Sequence, residues 1–155
     1  MTPYFPELSG VKTLKTLTKH FTNLLLYLPI EKTAFLGWLV YQSKADNTFI
    51  YSTHLLTKYS EAIKSARLQY QSKTPLKTDL KAIRATFRQL VDSGYIFYVE
   101  GKMYMLNPML SYRYEYMRAK EYKVFVARYQ GEKDFRSFCK DYMGVVAEGM
   151  RKKNL

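Results

Sequence analysis

Five basic residues and one acid fall between Lys73 and Arg88, a net charge of +4. Within that stretch Lys77, Lys81, Arg84 and Arg88 recur at i, i+4, i+7 and i+11. A helix turns about 100° per residue, so this spacing predicts four cations within roughly 60° of one another. Leu80, Ile83, Phe87, Leu90 and Val91 follow core-facing spacing on an adjoining face of the same segment. The expected element is a single helix with one buried side and one cationic side. Like charges at i,i+4 repel by a few tenths of a kcal/mol per pair. Such a stripe suits either a solvated face or a surface that meets a polyanion.

The whole chain leans the same way. Its 155 residues carry 25 Lys and Arg against 13 Asp and Glu, a formal charge of +12 with a pI of about 9.7. That balance favours nucleic acid or an anionic membrane surface as partner and is silent about fold. A hydrophobic content of 47% at this length predicts one core with room for an appended helical piece. Tyrosine is over-used, at 15 residues, and suits half-buried positions and interfaces.

Residues with catalytic or metal-binding potential are sparse. His20 and His54 are isolated, and no His-x-x-x-His, Cys-x-x-Cys, paired acidic or Gly-x-x-x-x-Gly-Lys motif occurs. The single cysteine, Cys139, excludes an intramolecular disulfide and lies on an apolar stripe, the place of an inert core residue. We expect no enzyme activity, no metal, no cofactor and no small-molecule substrate. The first residues lack the pattern of a signal peptide, and the apolar run from Phe21 to Ile30 is too short to span a bilayer. A soluble cytoplasmic protein with no membrane partner is therefore expected.

The elements that must hold the basic segment are legible around it. Residues 1–10, with Pro3, Pro6 and Gly10, are expected to form an extended lead-in. Leu14, Leu17, Phe21, Leu24, Leu25 and Leu28 predict a helix from Val11 to Pro29. A second helix is expected over about 31–43, then a turn at Lys44–Asn47 and a short strand at Thr48–Tyr51. Ser52 can cap a third helix running towards Tyr70. Pro75 interrupts it, and either Thr74–Pro75 or Thr78–Asp79 starts the basic helix, which Ser93–Gly94 ends. Tyr95–Val99 and Met103–Leu106, separated by Glu100-Gly101-Lys102, predict a hairpin closed by Asn107-Pro108. Two more helices are expected, over about 110–129 and 133–150, the last with a stripe of Phe135, Phe138, Cys139, Tyr142, Met143, Val146 and Met150.

This order of helix, strand, helix, turn, basic helix and hairpin resembles a winged helix-turn-helix. Thr78 to Arg84, continuing through Leu90 to Ile96, resembles the recognition helix and the start of the wing in that superfamily. The run Gly101-Lys102-Met103-Tyr104-Met105-Leu106-Asn107-Pro108 is similar to the wing ending of replication initiators from Firmicute-type plasmids and related phages. The resemblance covers roughly residues 31–110, and departs from the compact pattern between residues 60 and 76, where the connection is longer than usual. It implies an α+β fold, mainly helical with a small hairpin wing, whose winged-helix core carries extra N-terminal and C-terminal helices. The domains expected are a lead-in and helix at 1–30, a DNA-binding unit at 31–110 and a helical extension at 111–155.

In a helix-turn-helix the second helix lies in the major groove with its N-terminal side chains at the base edges. The resemblance thus implies that Lys73, Thr74, Lys77, Thr78 and Lys81 approach duplex DNA first, with Arg84 and Arg88 further along. Arg forks suit guanine and Lys suits phosphate. Lys102 at the hairpin tip is open to two readings, a phosphate or minor-groove contact and an ordinary polar turn residue. Tyr104 and Met105 are expected to pack in the core. Arg113, with Arg118, Lys120, Lys123 and Arg128, would extend the footprint, and the resemblance suggests a homodimer through the C-terminal helices. The biological role it implies is replication initiation on a plasmid or phage in a bacterial host. Transcription regulation on the same scaffold, and a non-catalytic docking or virion-associated role, stand as alternatives.

Overall fold

Ser52 and Asp79 are the two side chains that start the helices flanking the basic segment. In the computed structural model, which describes residues 28–71, 73, 75–108 and 135–153 (backbone alone for 135–139 and 153), each accepts a bond from a first-turn amide. The Ser52 hydroxyl accepts from Leu55 N at 3.2 Å, and Asp79 Oδ2 accepts from Ala82 N at 3.1 Å. The described elements run α1 (Ile30–Gln42), β1 (Thr48–Ile50), α2 (Thr53–Tyr70), α3 (Leu80–Asp92), β2 (Ile96–Glu100), β3 (Met103–Leu106) and α4 (Phe135–Lys153). The chain is α+β, with a three-stranded antiparallel sheet in the order β1-β3-β2.

The helices expected over 11–28 and 110–129, and with them the proposed dimer contact, lie outside the described residues. The other elements match within a few residues. One difference matters. The basic helix begins at Leu80, so Lys77 and Thr78 precede it and the four-cation stripe is a three-cation stripe of Lys81, Arg84 and Arg88. The reason is local. Asp79 takes an extended φ of −74° and ψ of 141° and caps the helix, which fixes the segment ahead of it as non-helical.

α1 and α2 both pack on α3. Their shared core contains Phe35, Leu36, Leu39, Leu56, Tyr59, Ile63, Ile83, Phe87 and Leu90, joined by Phe49, Ile96 and Leu106 from the sheet. Ile83, Phe87 and Leu90 seat α3, and burying them is worth about 5–9 kcal/mol in total. That far exceeds the few tenths of a kcal/mol by which its like charges repel. The opposite face of the sheet carries Phe97 and its register partner Met105, both buried, and α4 packs against β2. Tyr142 and Val146 on α4 are fully buried.

Two asparagines close the sheet. Asn47 sits at a φ of 69° in the turn before β1, and its carbonyl accepts from Leu106 N at 2.9 Å. Asn107 Nδ2 donates to the Gly94 carbonyl at 3.0 Å, tying the end of β3 to the turn after α3. Gly94 stands at a φ of 80°, the left-handed position that glycine adopts without strain. The Asn-Pro ending of the hairpin is therefore an internal clamp, with Asn107 fully buried.

Candidate nucleic-acid interface

The segment between α2 and α3 presents cations because other residues tie its backbone down. Gln71 ends α2 in the left-handed region, with φ 50° and ψ 37°, and the described residues between it and Leu80 carry no helix or strand. Ser60 Oγ donates to the Thr78 carbonyl at 2.6 Å, and an Arg67 guanidinium nitrogen donates to the Leu76 carbonyl. Both donors lie on α2. The long connection that departs from a compact helix-turn-helix is thus held at two points against the preceding helix. Thr78 is half-buried, and Lys77 beside it is exposed.

Along α3, Lys81, Arg84 and Arg88 are exposed while Ile83, Phe87 and Leu90 are buried. Among the described residues, none of Lys73, Lys77, Lys81, Arg84, Arg88 and Lys102 forms an ion pair with a carboxylate. A contrasting pair sits on α4, where Arg151 Nε bonds Glu148 Oε2 at 3.1 Å and holds the Glu148 carboxyl below its ordinary range. Both of those side chains are exposed, so the pair contributes little to stability.

The hairpin tip joins this face through Tyr51, a residue sequence reasoning placed only in a strand. Tyr51 N–H donates to the Lys102 carbonyl at 2.9 Å. Its ring stacks on Phe87 of α3, with centroids 3.9 Å apart and planes 9° apart. Burial pushes the Tyr51 phenol above its ordinary pKa, opposed by the positive charges of Arg84 and Arg88. One side chain therefore touches the basic helix and its own backbone holds the tip that carries Lys102. Gly101, at a φ of 54°, makes the tight turn there, and the register slips between Tyr98 and Glu100.

Tyr104 extends the cluster. It meets Phe87 at 5.0 Å, Tyr98 at 5.3 Å and Tyr51 at 5.6 Å, each at a steep angle between planes of 68–80°. It is half-buried, while Met105 is fully buried on the other face of the sheet. Both expectations of core packing hold, on opposite faces.

Of the residues proposed from sequence, the fold brings Lys81, Arg84 and Arg88 together, with Lys102 linked to them through Tyr51. Lys73, Lys77 and Thr78 lie on the tethered connection ahead of α3. Thr74 and Arg113 lie outside the described residues. Sequence reasoning missed Ser60 and Arg67 as tethers. Their signal was their spacing, since Ser60, Ile63 and Arg67 fall at i, i+3 and i+7 on one helical face. A polar residue in line with a core position has to satisfy its donor inside.

Two cavities of about 350 and 370 Å³ flank Tyr59, the first reached by Glu31, Lys32 and Lys77, the second lined mainly by Trp38, Ala62, Ile63, Ala66 and Tyr70. No group of three His, Cys, Asp or Glu that could hold a metal occurs among the described residues. No helix among them is long and apolar enough to cross a membrane. Comparison with protein-family models, with curated proteins and with solved structures finds no match for this chain.

Proposed function

We propose that this chain is a sequence-specific duplex DNA-binding protein of the winged-helix kind, with α3 in the major groove and the β2–β3 hairpin as the wing. One observation carries the reading. Lys81, Arg84 and Arg88 stand exposed on a helix whose other side is seated in the core, with no carboxylate partner among the described residues. The element order α1, β1, α2, α3, β2, β3 and the sheet order β1-β3-β2 are compatible with a winged helix and support the assignment.

The division of labour follows from side-chain chemistry. Lys77, Lys81 and Lys102 neutralise phosphates as compact charges, and the counterions they release supply most of the affinity. Arg84 and Arg88 carry planar forks able to read guanine through two bonds, each such contact worth about 1–3 kcal/mol of discrimination. The tether from Arg67 and Ser60 fixes the connection so that Lys77 meets the duplex without first losing chain entropy.

The biological role we propose is replication initiation on a plasmid or phage, and it rests on the resemblance of Gly101–Pro108. Asn107 acts inside the fold, so that motif describes how the wing is closed. A transcription regulator would use the same surface. Selection of preferred duplexes from a random pool tests both levels. A cluster of direct repeats supports an origin, and an inverted repeat supports a dimeric regulator. With about eight phosphate contacts, affinity for the selected site should fall on the order of ten-thousandfold between 50 and 200 mM salt, with site preference retained. No duplex binding at low salt would overturn the reading in favour of a docking role.

A further inference from the structure

We propose that Tyr98, at the open end of the tyrosine row between α3 and the wing, stacks on an unpaired base, so that this face prefers a locally opened duplex to a closed one. The inference deepens the reading of α3 as a DNA-contacting helix and rests on it.

Within β2 the residues Ile96, Phe97 and Val99 are at most 3% exposed, whereas Tyr98 is 45% exposed. Its ring is held from behind. Tyr98 pairs in register with Tyr104 and meets it at 5.3 Å, and Tyr104 is in turn braced by Phe87 and Tyr51. The row therefore starts in the core at Phe87 and ends in water at Tyr98. A ring so braced gives up little freedom on meeting a ligand.

The neighbourhood selects the ligand. Arg84 and Arg88 lie on the helix whose Phe87 stacks on Tyr51 at 3.9 Å, and the Lys102 carbonyl accepts from the Tyr51 N–H. Aromatic rings beside a cationic helix suit a strand whose bases stack while its phosphates are neutralised. A base inside a closed duplex already has both faces stacked on its neighbours. An unpaired base has a face to give. The occupant that fits is a single-stranded stretch beside the duplex held by α3.

The test compares binding of the full chain at low salt to a short duplex of mixed sequence and to the same duplex with a few central thymines left unpaired. The opened duplex should bind tighter by roughly 5- to 150-fold, the value of one stacked base. Tyr98→Ala should abolish that preference, so that the variant binds the two duplexes equally, with a native circular-dichroism spectrum reporting that it is folded. Tyr98→Phe should keep the preference, because the ring and not the hydroxyl carries it. Equal binding of both duplexes by the native chain would overturn the inference and leave the duplex-binding reading standing. A preference that survives Tyr98→Ala, or that Tyr98→Phe abolishes as fully as Ala, would also overturn it. Binding to neither duplex would remove both readings together.

Discussion

α2 and α3 carry the same charges and use them differently. Each has three Lys or Arg and one acid, Lys58, Lys64 and Arg67 with Glu61 in α2, and Lys81, Arg84 and Arg88 with Asp92 in α3. In α2 two of the three cations are engaged by the protein itself. Lys58 donates to Gln42 Oε1 at 3.0 Å, and Arg67 holds the Leu76 carbonyl. In α3 the acid is at the far end and the three cations have no hydrogen bond or ion pair among the described residues. Net charge alone does not distinguish a structural helix from a binding one. The number of cations that the protein itself engages separates α2 from α3.

The largest way to break that contrast is to unseat α3. Phe87 is 4% exposed and touches Phe35, Phe49, Tyr51 and Tyr104. Phe87→Ala should cost about 3–5 kcal/mol of stability, read from the denaturant midpoint. Duplex binding and the aromatic row should fail together. A loss under about 1 kcal/mol would mean that α3 is not held by its apolar side.

How much of this was legible depended on how local the determinant is. The Ser52 cap, the Gly94 turn and the hairpin at Gly101-Lys102 each depend on a few adjacent residues, and their positions follow from residue type. The start of α3 was ambiguous because Thr74, Thr78 and Asp79 are all capping types, and the choice of Asp79 brings the Ser60 bond from across the fold. The pairing of β1 with β3 links Phe49 to Tyr104, too distant in sequence for any spacing rule. For the same reason the cations were readable as a stripe, but Tyr51, which connects them to Lys102, was not.

A pair of single substitutions sharpens the contrast at the next scale. Arg67→Ala should cost about 1–3 kcal/mol of stability, because it strips a partly buried carbonyl of its donor. Arg84→Ala should change stability by less than about 0.5 kcal/mol yet relax discrimination at one base pair by about 1–3 kcal/mol. If Arg84→Ala instead weakens all sequences equally, that side chain touches only phosphate. If it destabilises as much as Arg67→Ala, the distinction between the helices is lost.

Two tyrosines, one on α2 and one packed against α3, differ in the same manner. Tyr59 of α2 stacks on Phe35 at 4.6 Å, and burial pushes its phenol up to about 12. Tyr51, packed on α3, is also pushed up by burial but is drawn back by Arg84 and Arg88. Tyr59 keeps its proton in the folded chain above pH 10, where the unfolded chain releases it. Its contribution is therefore fully present below pH 10 and is lost as pH rises towards 12. Relative to Tyr59→Phe, the native chain should lose about 1.4 kcal/mol of stability between about pH 9 and about pH 11. A parallel pH dependence in the two proteins would show that burial of the phenol is not responsible.

The smallest expected effect separates the two things Asp79 does. Its carboxylate caps α3 by accepting from Ala82 N, and it is also the one negative charge within the cationic segment. Asp79→Ala should cost about 1 kcal/mol, typical of a lost cap. Asp79→Asn keeps an acceptor of equal capping quality while removing the charge. It should therefore retain stability and raise duplex affinity at low salt, with the advantage fading as salt screens the surface. Stability lost equally in both variants would assign the capping effect to charge at the positive end of the helix dipole instead of to the hydrogen bond. Unchanged duplex affinity in Asp79→Asn would place the start of α3 away from the phosphates, and would shift the interface towards Arg84, Arg88 and the hairpin tip.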